Sequence, residues 1–264
     1  EMTSSLVGSE MCIRDRLLNV SNIIDMSWLK NPVYKDHIRS VLYIWQGGME
    51  SGNAVADVLS GKVSPSGKLT DTIACSLADY PAANDFGDTV RNFYTEDIYV
   101  GYRYFETFCP EKVMYEFGFG LSYSKFDIEI LKAETVTEES KVGGAWGSHG
   151  VSIDNGTCAG KEVQITICVK NTGDCRGKEV VQVYVQAPQG KLGKPARELK
   201  AFAKTKELAP GEKQEMTLHI PVKNLASYDD SGVTGHKSCY VSEAGAYVLS
   251  LIHISEPTRL DVIS

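Results

Sequence analysis

The 264-residue sequence predicts two parts: a partial, truncated doubly wound α/β layer, and after it an all-β antiparallel sandwich. Three observations carry this. Residues 41–45 are an apolar run rich in β-branched and aromatic side chains, the pattern of a strand buried on both faces. The run stops at Gln46-Gly47-Gly48, after which Ala54, Val55, Val58 and Leu59 make one helical stripe that Gly61 can close from a left-handed position. Strand, glycine turn, helix and proline-glycine turn form half of a doubly wound layer, in which ligands sit at the carboxyl ends of strands. Beyond Phe126 the helical period disappears. Val163, Ile165, Ile167 and Val169 face one way while Gln164, Thr166 and Cys168 face the other, the alternation of a half-buried strand.

Taken in order, residues 17–20 predict a short buried strand, and residues 32–38 a short helix with Pro32 near its first turn. Val63-Ser64-Pro65-Ser66-Gly67-Lys68 reads as a tight turn. Residues 79–91 are polar, contain Pro and Gly, and read as a surface loop. Tyr94, Tyr99, Tyr102, Tyr104 and Phe105 surround Arg103. Packing between the two parts is the expected use of these rings, and a stacking wall for sugar rings is the alternative. Arg103 is expected to form a structural ion pair with a carboxylate such as Asp97.

In the second part, residues 126–131 begin the alternation; Val181, Val183 and Val185, residues 199–205, and Met216, Leu218 and Ile220 continue it. Turn signals at 171–173, 188–190, 209–211 and 229–232 separate them, the spacing of an immunoglobulin-like sandwich. Residues 135–155 read as a poorly patterned insertion, and the sequon at Asn155 as a chance match.

Composition narrows the function. A net charge of −7 without a basic cluster argues against a nucleic-acid partner or an anionic membrane surface. Every apolar run is far short of the roughly 20 residues of a membrane-spanning helix. Outside the first sixteen residues there are six cysteines, Cys75, Cys109, Cys158, Cys168, Cys175 and Cys239, with no C-x-x-C pair. No metal site and no cofactor are expected. Scattered thiols favour a reducing, cytoplasmic location; secretion stays open, because the native start is expected to be missing.

The loop after the first apolar run is the first place to look for a site. Gly47 to Gly52 has the glycine spacing of a phosphate cradle, but Asn53 and Ala54 stand where that motif needs Lys and Ser or Thr, and Glu50 would repel a phosphate. The plain reading is that Gly47 and Gly48 let the backbone turn and pack closely. The functional reading is a polar cleft in which Trp45, Gln46 and Glu50, with Ser51, meet a sugar. No residue is assigned a catalytic role: Glu50, Asp57, Asp71, Glu96 and Asp97 lack an evident carboxyl partner, and no Ser or Cys nucleophile context occurs.

The text WQGGMESGNAVADVLSGKVSPSGKL, with the blocks GYRYF at 101–105 and FGFGLSY at 117–123, resembles the C-terminal α/β domain of glycoside hydrolase family 3. The words VKNTGDCRGKEVVQVYV, ELKAFAKTKELAPGE and SYDDSG resemble the fibronectin type III-like domain that accompanies it. The resemblance implies a fragment of a retaining β-glucosidase-like or β-xylosidase-like enzyme, with an oligosaccharide or glycoside as substrate. It also implies a missing barrel domain that carries the nucleophile, and an acid/base carboxylate lying before the part matched here. The fragment alone is expected to be inactive. The alternative is a non-catalytic carbohydrate-binding or interaction module.

Neither end continues its neighbour's pattern. LVGSEMCIRDR near the start and LSLIHISEPTR near the end can be encoded by one DNA element read in opposite orientations, as a translated sequencing adapter would be. The expected divisions are therefore 1–16 adapter-like, 17–125 partial α/β domain, 126–248 fibronectin type III-like domain and 249–264 adapter-like. Tyr247 to Ile254 still alternates, so a strand is expected to run through Val248 into the adapter-like text and to end at Glu256-Pro257, where Pro cannot donate to a ladder.

Overall fold

The computed structural model describes residues 15–35, 37–85, 87, 89–137, 161–252 and 258–259. In the first part, β1 (Asp15–Leu18) and β2 (Ser40–Tyr43) pair in parallel, with Leu17 opposite Leu42. The crossover that a parallel pair requires contains the 3-10 turn Ser27–Lys30 and α1 (Pro32–Lys35). Neither strand is as buried as its composition suggested. Leu17 is exposed and residues 41–45 are half-buried, because among the described residues this sheet has two strands, too few to be enclosed on both faces.

α2 (Ser51–Leu59) follows the glycine turn, and Gly61 closes it at φ 76°, its amide donating to the Val58 carbonyl at 3.0 Å. The predicted loop at 79–91 begins with 3-10 turns at Leu77–Asp79 and Pro81–Asn84. β3 (Ile73–Ala74) and β4 (Val113–Tyr115) pair antiparallel, and α3 (Tyr102–Phe108) lies between them in the chain. Phe105, Ala74 and Cys109 form a small core with Tyr80, Tyr104 and Val113 around it.

The second part contains β5 (Phe126–Thr137), β6 (Lys161–Asn171), β7 (Val180–Gln186), β8 (Glu198–Lys204) and β9 (Lys213–Pro221). After these come β10 (Ser227–Asp229), β11 (Cys239–Val241), β12 (Val248–Ile252) and β13 (Thr258–Arg259). One sheet runs β5-β6-β9, the facing one β13-β12-β7-β8, and β10-β11 is a separate ribbon. Val163, Ile165, Ile167 and Val169 from one sheet meet Val181, Val183, Val185, Leu249 and Leu251 from the other. Each such side chain contributes about 1.5–3 kcal/mol when fully buried, so the second part holds the larger core.

β5 runs beyond residue 131 to Thr137, and thereby takes in the start of the predicted insertion. Its pairing with β6 shifts register between Ile130 and Lys132, which breaks the alternation that would have marked the strand. The sequon at Asn155 lies outside the described residues. β12 runs through Val248 to Ile252 antiparallel to β7, as expected. Residues 253–257 lie outside the described residues, so the expected end at Glu256-Pro257 does too; pairing resumes at β13.

Candidate functional site

The loop predicted as a site leaves the carboxyl end of β2. Trp45 takes φ 51°, a left-handed conformation uncommon for a bulky residue. Its ring lies 4.5 Å from that of Tyr43, which is itself held by a 2.7 Å hydrogen bond from its hydroxyl to the Asn22 carbonyl. Trp45 is half-buried, and Gln46 and Glu50 are exposed on the same turn. The Glu50 carboxylate accepts from the Asn53 amide group one helical turn on. A Cβ on Gly47 would lie 2.5 Å from the Ser51 hydroxyl, so close packing requires glycine there; Gly48 has open space around it. The fold thus brings Trp45, Gln46 and Glu50 onto one exposed turn, with Glu50 already engaged by Asn53.

A denser arrangement lies between the two parts and involves residues that sequence reasoning missed. α3 presents Tyr102, whose ring stacks 4.8 Å from Phe117 and meets Tyr184 of β7 edge-on at 5.8 Å. The Tyr102 hydroxyl accepts from the Leu199 amide at 2.9 Å, and the Thr107 hydroxyl accepts from the Ala196 amide at 2.8 Å. The Arg197 guanidinium grips Glu106 with both arms and lies 5.5 Å over the Tyr184 ring. Burial pushes the Glu106 carboxyl above its ordinary range, although Arg197 opposes the shift. Burial likewise raises the Tyr184 phenol, and the Glu106 charge adds to it. Arg103 pairs with Glu198 at 3.2 Å. The expected structural ion pair of Arg103 is thus present, with Glu198 in the place of Asp97, because α3 turns Arg103 toward β8. Of the rings of GYRYF, Tyr102 packs between the two parts, while Tyr104 and Phe105 belong to the small core of the first; Tyr99 meets Phe108 edge-on at 4.8 Å, and Tyr94 is exposed. A cleft of about 190 Å³ remains beside them, lined by Phe105, Phe117, Thr72, Glu106, Glu116 and Arg197.

Four carboxylates near these features are held by partners: Asp57 by Lys62, Asp79 by Lys112, Glu106 by Arg197 and Glu179 by Lys68. Among the described residues no helix is long and apolar enough to cross a membrane, and no group of three or more His, Cys, Asp or Glu could hold a metal ion.

Comparison with known proteins identifies both parts. Residues 16–123 match the glycosyl hydrolase family 3 C-terminal domain, and residues 179–253 match the fibronectin type III-like domain. The two matched domains and the relatives below make the chain similar to part of the C-terminal region of glycoside hydrolase family 3 proteins. It is 47% identical over 231 residues to a β-glucosidase of Ruminococcus albus, covering 88% of this chain and 21% of that protein. To β-glucosidase A of Butyrivibrio fibrisolvens it is 46% identical, covering 92% of this chain and 28% of that protein. A solved β-glucosidase from Paenibacillus barengoltzii superposes with TM-score 0.81 at 49% identity, over 95% of this chain and 25% of that one. The chain thus spans about a quarter of the length of the relatives it matches.

Proposed function

We propose that the chain is the cleft-wall and scaffold portion of a β-glucosidase that hydrolyses β-glucosides with retention, its nucleophile and acid/base carboxyls supplied by polypeptide outside these residues. The carrying observation is the 49% identity to a solved β-glucosidase over 95% of this chain. A retaining hydrolase needs two carboxyls about 5–5.5 Å apart; Glu50, Asp57 and Glu106, on or near the loop and the cleft, are engaged by structural partners instead. A solved relative from Kluyveromyces marxianus is described in complex with glucose. That supports a gluco-configured substrate, with Trp45, Gln46 and Glu50 as the residues of this chain nearest to such a role.

Two measurements test the reading. The isolated chain is expected to give no turnover of an aryl β-glucoside above a buffer blank, since it lacks the groups that supply the roughly 8–23 kcal/mol of barrier lowering typical of enzymes. Residues 17–248, exchanged for the matching portion of the Ruminococcus albus β-glucosidase, are expected to keep that enzyme active. In that chimera Trp45→Ala and Glu50→Ala are expected to raise KM more than they lower kcat. A folded but inactive chimera would overturn the proposal. A free-standing binding module, the other sequence reading, fits less well with a second part that grips α3 at several points.

A further inference from the structure

Domains joined in one chain move relative to each other by default unless the interface between them is large and well anchored. Here the interface holds a buried ion pair outside the cleft. Lys68, in the turn after α2, is 9% exposed at its side chain, and its ammonium lies 2.7 Å from Glu179, which is 5% exposed. The same ammonium donates to the Gly120 carbonyl at 2.9 Å, and Glu179 accepts from the Val180 amide at 2.7 Å. Three chain segments therefore share one pair of charges: the Pro65-to-Lys68 turn, the FGFG turn and the start of β7. The FGFG turn is packed closely on both sides: a Cβ on Gly120 would lie 2.4 Å from the Gly67 carbonyl oxygen within the first part, and one on Gly118 2.2 Å from the Gln182 side-chain oxygen of β7. Lys204 of β8 adds a 3.1 Å bond to the Ser66 carbonyl.

We infer that Lys68–Glu179 is a buried latch that fuses the α/β part and the fibronectin-like part into one cooperative folding unit. Removing one partner leaves the other charge out of water without its counter-charge, which is far more damaging than removing both. The fibronectin-like part thereby fixes the position of the turn that ends α2, and Glu106–Arg197 does the same for α3. This inference is independent of the activity assigned above.

Differential scanning calorimetry of the full chain tests it. One transition is expected, with calorimetric and van't Hoff enthalpies equal. Glu179→Gln should lower the midpoint and split or broaden that transition, and combining it with Lys68→Met should restore part of the lost midpoint. Asp57→Asn, which removes the partner of exposed Lys62, is the control and should move it little. Two separate transitions in the unaltered chain would overturn the inference, as would a Glu179→Gln effect no larger than the control. If the variants do not fold, hydrogen exchange of the unaltered chain decides. Amides of α3 and of β7 should then open with the same free energy and the same denaturant dependence, and earlier opening of α3 alone would refute the latch.

Discussion

At the residue scale, Gly61 shows a conformation the sequence announces. A glycine just past an amphipathic stripe is the usual left-handed cap, and φ 76° confirms it. Because no atom lies within 4 Å of the position a Cβ would take, Gly61→Ala tests backbone strain alone. It should destabilise the first part by about 1–2 kcal/mol, read as a lower urea midpoint at constant slope. Trp45 shows the opposite case: nothing about a tryptophan suggests positive φ, so its conformation was not legible. Asp229 lies between. SYDDSG marks a turn, but only the structure shows that its inaccessible carboxylate accepts from Ser231, Gly232, Val233 and from both the amide and hydroxyl of Thr234. Burial works against that charge, yet these donors outweigh it and hold the carboxyl well below the ordinary aspartate range. A depressed folded value means the stabilisation is complete above the unfolded pKa of about 3.9 and drains away as pH falls through the folded one. Asp229→Asn should therefore lower Tm at pH 7 and flatten the fall of Tm in acid, which melting curves between pH 7 and pH 2 would measure.

At the element scale, legibility followed local period. β6 and β9 were readable because each alternates between a core face and an outer face, and β7 because its valines alternate, although its other face, with Gln182 and Tyr184, is buried against the first part. The far half of β5 was not, since the register shift after Ile130 puts Lys132 and Glu134 where period alone expects otherwise. Of the ion pairs of α3, that of Arg103 was legible as chemistry but not as a partner, and that of Glu106 was not read at all; Glu198 and Arg197 are brought to them only when β8 docks. β12 makes a sharper point. Four of its five residues, from Leu249, were expected to be foreign text filling a vacant edge; Leu249 and Leu251 pack into the sandwich core. Apolar alternation is all that such an edge demands, whatever its origin. Leu251 is 2% exposed, so Leu251→Ala should cost about 2–5 kcal/mol, measurable as a lowered midpoint for loss of the β-sheet signal.

At the scale of the whole molecule, the larger core lies in the fibronectin-like part, while the α/β part has a small core, half-buried strands and many exposed apolar side chains, Met49, Val90 and Tyr94 among them. The candidate loop was legible as a turn at a strand's carboxyl end because glycine and period mark it. What that turn faces was not, since a binding wall is defined by what stands opposite. The open β1-β2 pair has a consequence of another kind. Among the described residues each of these strands has one neighbour, which leaves a margin of amide and carbonyl groups, bordered by Val41, Leu42 and Tyr43, with no ladder to join. Such a margin is adhesive: it accepts any extended peptide of suitable pattern, including the same stretch of another copy. Pairing of this rim with the same stretch of another copy is an expected route of association in concentrated solution, separate from the melting of either core.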